Sequence, residues 1–119
     1  MYRLLRPGGR FIFAVPHPSL AFLGDNIAPF YFDSELKGYF SGRDCQFEGE
    51  IWRKDGQGVR VRCIHKNFED YFNALAAAGF SRMPQISELR ATEEHLQQYS
   101  QWLEPLRDKP LHLAFQLVK

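Results

Sequence analysis

The first strong pattern in the chain is a short apolar run that follows a glycine turn. Residues 10–15, RFIFAV, are β-prone and almost continuously apolar, which is typical of a strand covered on both faces. Pro7 and two glycines precede this run and end a helical turn, because proline cannot continue a helix. Pro16 and Pro18 follow it, and neither offers an N–H to a neighbouring strand. The pattern predicts a buried strand over residues 10–15.

Polar and apolar residues alternate on both sides of the segment KDGQG, which predicts a β-hairpin over residues 45–65. Each face of a hairpin carries every second side chain, so the register must match apolar with apolar and polar with polar. A three-residue loop at 55–57 meets that condition, whereas a shift of one residue places Ile51 against Arg60. The predicted register pairs Ile51 with Val61 and Gly49 with Cys63 on one face, and Glu50 with Arg62 and Trp52 with Arg60 on the other.

The second half of the chain alternates helix and strand patterns. Residues 67–78 have the period of an amphipathic helix, with Asn67 suited to cap it. Residues 80–89 and 111–118 are predicted to be strands, and residues 92–106 a second helix. With the first strand and the hairpin, these elements predict an α/β domain. The apolar stripe of the first helix consists of Phe68, Tyr71, Phe72 and Leu75.

Aromatic residues are concentrated between the first strand and the hairpin, interleaved with glycine, aspartate and serine without a clear period. Residues 19–44 are therefore predicted to be a partly helical loop region. Aromatic residues make up 15% of the chain, a share that favours a core or a pocket built from rings. These rings either line a pocket for an apolar ligand or fill the space beneath a long excursion of the chain.

Charge and composition argue against several classes of function. The 119 residues carry a formal net charge of +1 without a basic stripe, so electrostatics give no support to nucleic-acid binding. No apolar run approaches the roughly 20 residues that a membrane-spanning helix needs, and the first residues do not have the pattern of a signal peptide. The chain has two cysteines, too few for a disulfide framework, and we expect a reduced, cytoplasmic protein.

Two of the four histidines lie where ligand chemistry is common. His17 follows the first strand, and ligands of open α/β sheets bind beyond the carboxyl ends of strands. His65 ends the hairpin, where it would face the same cleft. An imidazole at either position acts as a base or orients a substrate; alternatively, it only forms a local hydrogen bond to the backbone. His95 and His112 are expected to be structural, and no two histidines have metal-ligand spacing.

Three segments resemble consecutive parts of class I S-adenosylmethionine-dependent methyltransferases, and in particular their type 11 group. LLRPGGRFIFAVPHP resembles the turn and buried fifth strand of that family, and HKNFEDYFNALAAAGF resembles the helical segment that follows. PLHLAFQLVK is similar to the final strand of the family, which lies antiparallel between the fifth and sixth strands. The resemblance implies the C-terminal part of a Rossmann-like α/β fold with a mixed sheet, forming a single partial domain over residues 1–119.

The resemblance also implies what the chain does and what it lacks. The family's glycine-rich cofactor loop and its ribose-binding acidic residue precede the Pro-Gly-Gly turn, so tight binding of S-adenosylmethionine to this chain alone is not expected. Residues 19–65 take the position of a substrate-side lid insertion that contains the hairpin. His17 and His65 are the catalytic candidates, acting on a small-molecule methyl acceptor. Tyr31, Tyr39 and Trp52 are the candidate substrate-binding residues of the lid.

An unpaired strand edge leads to a further expectation. In the intact fold, strand 10–15 would pair with the final strand on one side and with a strand outside this chain on the other. An exposed apolar edge recruits another chain, so we expect a homodimer formed through this edge or by exchange of elements. Two alternatives to a partial methyltransferase are a non-enzymatic binding or dimerisation module derived from the same fold, and an unrelated α+β ligand-binding domain with a closed sheet.

Overall fold

The computed structural model describes residues 1–22, 30–31, 38–52 and 57–119. Short 3₁₀ turns occur at Tyr2–Leu4, Leu20–Phe22 and Glu104–Leu106. The strands are β1 (Arg10–Pro16), β2 (Phe30–Tyr31), β3 (Gln46–Trp52), β4 (Gly58–Ile64), β5 (Gln85–Leu89) and β6 (His112–Val118), and the α-helices are α1 (Phe68–Ala77), α2 (Glu93–Gln98) and α3 (Ser100–Leu103). The architecture combines α-helices with antiparallel sheets. The described strands all pair antiparallel, so the mixed sheet that we expected, with parallel as well as antiparallel pairs, is not seen among the described residues.

The main sheet has the strand order β1–β6–β5, with β6 antiparallel to both neighbours. Phe115 in the middle of β6 lies opposite Phe13 of β1 on one side and Ile86 of β5 on the other. The final strand, β6, therefore lies between β1 and β5. The sequence resemblance implied the same position, since β1 corresponds to the family's fifth strand and β5 to its sixth. Strand β1 is an edge of this sheet within the described part of the chain.

One face of the main sheet carries the hydrophobic core. Leu113, Phe115 and Leu117 of β6 are between 0% and 3% exposed, because alternate residues of a strand point to the same face. Phe13 stacks on Phe115 with a ring-centroid distance of 4.8 Å. Helix α1 covers this face with the stripe that the sequence predicted: Leu75 is buried in the core, and Phe68, Tyr71 and Phe72 pack against it.

The opposite face of the sheet is open. Ile12 of β1 is 63% exposed, and Leu89 and Val118 are 43% and 40% exposed. The continuous apolar run of β1 predicted a strand covered on both faces, and within the described residues only one face is covered. The prediction is wrong on this point. An apolar run shows that both faces of a strand can be buried, but it does not show that other elements are present to cover them.

The hairpin forms as predicted, but its register differs by two residues. Strands β3 and β4 pair Ile51 with Val59 and Gly49 with Val61, so the connection spans residues 53–57. A shift of two keeps every side chain on its original face, and the alternation of apolar and polar residues therefore does not distinguish the two registers. The polar pairs are corrected accordingly: Glu48 lies opposite Arg62, Glu50 opposite Arg60 and Trp52 opposite Gly58.

Two other elements are shorter than predicted. The strand expected over residues 80–89 begins at Gln85, because Pro84 has no N–H for the ladder and Phe80 is buried in the core instead. The helix expected over 92–106 is interrupted at Tyr99, whose backbone has φ −130° and ψ 40°. Thr92 still caps α2, since its hydroxyl accepts a hydrogen bond from the His95 N–H at 3.3 Å.

Candidate functional site

A cavity of about 240 Å³ lies beyond the carboxyl end of β1, between this strand end and the hairpin. Both histidines that the sequence selected line it, which places them at one site as predicted for a shared cleft. Most of its other lining groups are apolar. The described lining residues are Val15, Pro16, His17, Pro18, Leu20, Ala21, Phe47, Cys63, Ile64, His65, Lys66 and Tyr71.

His17 is held by two hydrogen bonds that fix its tautomer. The Ser19 N–H donates to His17 Nδ1 at 3.2 Å, so Nδ1 carries the lone pair and Nε2 carries the proton. Nε2 donates to Glu88 Oε1 at 3.1 Å. The imidazole is 6% exposed and meets the Phe68 ring edge-on at a centroid distance of 5.2 Å. Both ring nitrogens are thus committed to protein partners, an arrangement that orients the ring.

His65 has the same tautomer for a different reason. Its Nε2 lies 2.8 Å from the backbone oxygen of Tyr39, and a carbonyl oxygen only accepts, so Nε2 is the protonated nitrogen. The lone pair is then on Nδ1. His65 is 4% exposed, and the rings of Phe22 and Tyr39 pack edge-on against it at centroid distances of 5.0 Å and 5.2 Å. Aromatic packing and one backbone hydrogen bond therefore set the orientation of this imidazole.

The predicted lid residues have different outcomes. Tyr39 supports the site from outside: its hydroxyl accepts a hydrogen bond from the Phe68 N–H at 3.1 Å, and it does not belong to the described lining of the cavity. Tyr31 lies in β2 opposite Glu48, and Trp52 ends β3. The side chains of Tyr31 and Trp52 lie outside the described part of the structure, and their role in substrate binding stays a prediction.

Tyr71 is a lining residue that sequence reasoning treated only as part of the helix stripe. Its ring packs against Phe115 at a centroid distance of 5.7 Å, while the residue also lines the cavity. Its hydroxyl forms no hydrogen bond with the described residues. Burial, followed by the negative charge of Asp70 and the proximity of Tyr39, raises the pKa of the Tyr71 hydroxyl, so the group is a neutral donor at pH 7. A tyrosine on the apolar stripe of a helix could have indicated a nearby polar site, because its hydroxyl needs a hydrogen-bond partner.

Charged groups around the cavity are paired with one another. Lys66, at the cavity, forms an ion pair with Asp44. Arg43 donates to Glu69 Oε1 at 2.6 Å and also to Asp70, joining the loop before the hairpin to the first turn of α1. Asp70 Oδ2 in turn accepts from the Asn67 N–H at 2.9 Å, which caps the helix. These pairs hold the segment 65–67 in place beside the cavity.

Cys63 lines the cavity as a packing residue. Burial raises the pKa of its thiol, which disfavours the reactive thiolate. Both cysteines of the chain are free.

The described residues give no support to a metal site or to a membrane-spanning helix. No group of three or more histidine, cysteine, aspartate or glutamate side chains is arranged to hold a metal ion there. In the same part of the chain, no helix combines the length and the apolar character needed to cross a bilayer.

Two described connections lead from a strand into a helix. The connection from β4 to α1 runs through His65, Lys66 and Asn67, and that from β5 to α2 through Arg90, Ala91 and Thr92. Neither connection contains a glycine, whereas binding of a cofactor at a strand–helix turn relies on glycines that let the backbone approach the ligand. These two connections do not fit such a cofactor.

Comparison with known proteins finds similar solved structures. No protein-family model matches the chain, and no curated protein matches it significantly. A candidate S-adenosylmethionine-dependent methyltransferase from Listeria monocytogenes is 24% identical, with a TM-score of 0.54, over 99% of this chain and 51% of that one. An S-adenosylmethionine-dependent methyltransferase from Mesorhizobium loti is 19% identical, with a TM-score of 0.47, over 95% of this chain and 49% of that one.

The chain therefore spans about half the length of the solved structures it matches. The likeness to the Listeria protein shows a shared fold, namely that of part of a methyltransferase-like α/β domain.

Proposed function

We propose that this chain forms the substrate-side portion of an S-adenosylmethionine-dependent methyltransferase that acts on a small molecule. The observation that carries the proposal is the position of the cavity: it lies beyond the carboxyl end of β1 and contains both His17 and His65. Ligands of open α/β sheets bind at such strand ends. The fold likeness to half of a methyltransferase chain supports it, as does the order of the strands. The finer assignments, to the type 11 group, to a lid at residues 19–65 and to the cytoplasm, belong to the same proposal.

We assign different roles on the acceptor side to the two histidines. His65 is the proposed base, because its protonated Nε2 is held by the Tyr39 carbonyl and its lone pair is on Nδ1. His17 is not the proposed base, because proton uptake at Nδ1 would break its bond to the Ser19 N–H; with both ring nitrogens bonded to the protein, it would orient the acceptor only by packing against it. The cofactor supplies a methyl group from a sulfonium, and its binding groups belong to a part of the intact fold that the described residues do not provide. Alone, this chain is expected to be catalytically silent.

The DNA upstream of the Met1 codon tests this proposal. We expect a reading frame that encodes a glycine-rich strand–loop–helix, and we expect the extended protein to bind S-adenosylmethionine in calorimetry. In the extended protein, His65→Gln keeps an amide donor for the Tyr39 carbonyl but removes the base, and should lower methyl transfer by about 10²- to 10⁴-fold with unchanged cofactor binding. His17→Asn should have a smaller effect. An upstream frame without that segment, or tight stoichiometric binding of S-adenosylmethionine by the 119-residue chain alone, would refute the proposal.

A dimerisation module is the second candidate function, and the edge of β1 favours it. His17 N–H donates to the Leu111 oxygen, and Gly9 oxygen accepts from the Lys119 N–H. In an antiparallel pair, inward and outward backbone groups alternate, so the N–H and C=O groups of Arg10, Ile12 and Ala14 point away from β6. Within the described residues these groups meet no strand. A second copy of the chain pairing along this edge would satisfy them.

A further inference from the structure

The cavity beside His65 has a composition that defines a class of ligand. Its volume of about 240 Å³ is below the roughly 300–1,000 Å³ of pockets for drug-sized ligands, so it accommodates a small molecule. The walls are largely apolar, and Phe47 and Tyr71 contribute aromatic rings. Such walls favour an apolar or aromatic body.

The charged residues of the cavity lining restrict the class of ligand further. The described lining contains no carboxylate, so a cationic ligand would enter without a counter-ion and would lose its hydration. Lys66 is the charged lining residue, and its ammonium group already pairs with Asp44. An anionic ligand would have to compete with that carboxylate. The lining is therefore best matched by an uncharged ligand.

Among the described lining residues, the Tyr71 hydroxyl is a hydrogen-bonding group that can anchor a ligand oxygen. Both nitrogens of His17 are committed to Ser19 and Glu88, and the Nε2 proton of His65 is committed to Tyr39. The Tyr71 hydroxyl has no partner among the described residues, and its ring is fixed against Phe115. The amide of Asn67 is also buried without a partner in that part of the chain, but Asn67 is not a lining residue.

We infer that the cavity binds a small, uncharged, ring-containing molecule with one hydroxyl or carbonyl oxygen, and that Tyr71 is the residue that anchors this oxygen. As a statement about the methyl acceptor, the inference rests on the proposed function. As a statement about binding, it rests on the cavity alone. Tyr71 is a positioning and specificity residue, because its hydroxyl selects for a ligand oxygen while the walls select for the ring.

Four probes of similar size test the inference on the 119-residue chain: phenol, toluene, benzoate and benzylammonium. We expect phenol to shift the amide resonances of Cys63, His65 and Tyr71 in an NMR titration and to bind more tightly than the other three. In Tyr71→Phe, the dissociation constant for phenol should rise by about 2- to 10-fold, while that for toluene stays unchanged. Tyr99→Phe removes a hydroxyl from an exposed ring and should change neither constant.

Alkylation of Cys63 provides a second measurement that does not depend on the Tyr71→Phe variant. In a Cys45→Ser background, phenol should slow alkylation of Cys63, which lines the cavity. Failure of phenol to shift cavity resonances or to protect Cys63, equal binding of benzylammonium, or an unchanged phenol affinity in Tyr71→Phe would each overturn the inference. The proposed function is tested separately by cofactor binding to the extended protein, so the two ideas fail independently.

Discussion

His17 Nε2 donates a hydrogen bond to Glu88 Oε1 over 3.1 Å, although 71 positions separate the two residues in the chain. This bond joins the end of β1 to β5 across the central strand β6. It is made possible by the register, because Val15 of β1, Leu113 of β6 and Glu88 of β5 lie in one cross-strand row. His17 continues the same face two residues beyond Val15. The imidazole at the cavity is thus oriented by the far edge of the sheet.

A matched pair of variants separates the two hydrogen bonds of His17. His17→Asn retains an acceptor for the Ser19 N–H, as in an Asx turn, and loses the bond to Glu88. His17→Gln retains a donor for Glu88 and leaves the Ser19 N–H without an acceptor. Glu88 is 66% exposed, so its bond contributes under about 1 kcal/mol, whereas an unpaired, partly buried N–H costs about 1–3 kcal/mol.

Both substitutions lose the contact of the imidazole with Phe68, so that loss cancels in the comparison. We expect His17→Gln to have the lower free energy of unfolding, by about 1 kcal/mol, in urea titrations at pH 7. Equal stability of the two variants, or greater loss in His17→Asn, would show that the Ser19 bond does not hold the ring.

Arg43 makes the stability of the fold depend on pH in the acid range. Its hydrogen bond to Asp70, reinforced by the Asn67 N–H and by the charges of Arg43 and Lys66, lowers the pKa of Asp70 below its ordinary value of 3.8, although desolvation opposes this shift. A carboxyl whose pKa is lower in the folded state stabilises the fold above its unfolded pKa, and this contribution is lost as the pH falls through the folded pKa. The stabilisation that Asp70 contributes is therefore lost below about pH 4.

We expect Arg43→Gln to be less stable than the parent at pH 7, with a difference that narrows as the pH falls below 3.8. Free energies of unfolding measured between pH 7 and pH 3 give both curves. Arg82→Gln is the control, since Arg82 is exposed and should leave the shape of the curve unchanged. A constant offset between Arg43→Gln and the parent at all pH values would contradict the assigned role of Asp70.

Position 79 requires glycine for two reasons, its backbone conformation and the ring packed against it. Its φ of +106° is outside the range that L-residues readily adopt, and an added Cβ would lie 3.1 Å from the ring of Tyr2. Tyr2 in turn packs on Phe80 at a ring-centroid distance of 4.9 Å, so it has little freedom to withdraw. Gly79→Ala should lower the free energy of unfolding by about 1–3 kcal/mol.

Gly8→Ala is the matched comparison for Gly79→Ala. Gly8 also has a positive φ, of +75°, but an added Cβ would meet nothing within 4 Å. We expect it to destabilise the fold by about 1–2 kcal/mol and less than Gly79→Ala. Thermal unfolding of the two variants at the same concentration measures the difference. A larger loss in Gly8→Ala would mean that the Tyr2 contact does not constrain Gly79.

The sequence determines those parts of the structure that depend on alternation and on local signals. Strand β1 follows from its apolar run and the prolines on both sides of it, and helix α1 and the two faces of the hairpin follow from periodicity. The register of the hairpin does not, because the pairings of Ile51 with Val61 and with Val59 place the same side chains on the same face. The break at Tyr99 was not predicted either, because its local signal is weak: Ser100, which follows it, favours caps and turns over helix interiors.

The candidate site was only partly accessible to the same reasoning. His17 and His65 were found from their positions at element ends, and the structure places both at one cavity. The hydrogen bond of His17 to Glu88 and the position of Tyr71 in the cavity wall depend on tertiary structure, and no spacing along the chain encodes them. Tyr39 was assigned to the lid because it is aromatic, and the structure shows it bonded to His65 and Phe68.

The free edge of β1 leads to the last prediction. The backbone groups of Ile12 and Ala14 point away from β6, and the Ile12 side chain is 63% exposed. A strand edge of this kind pairs with another strand unless a charge or a proline blocks it. In sedimentation equilibrium at micromolar concentration we expect twice the monomer mass of 13.9 kDa. Ile12→Lys and Ala14→Pro should both restore the monomer, because the first adds a charge to the edge and the second removes an outward N–H.

Met83→Lys is the control for the dimer, because Met83 is 81% exposed and precedes β5 instead of lying on β1. It adds the same charge and should leave the dimer intact. A monomeric parent at micromolar concentration would contradict pairing through β1 and would leave the edge available to the cofactor-binding part of the proposed methyltransferase. Dissociation by Met83→Lys to the same extent as by Ile12→Lys would instead mean that net charge, and not the β1 edge, governs association.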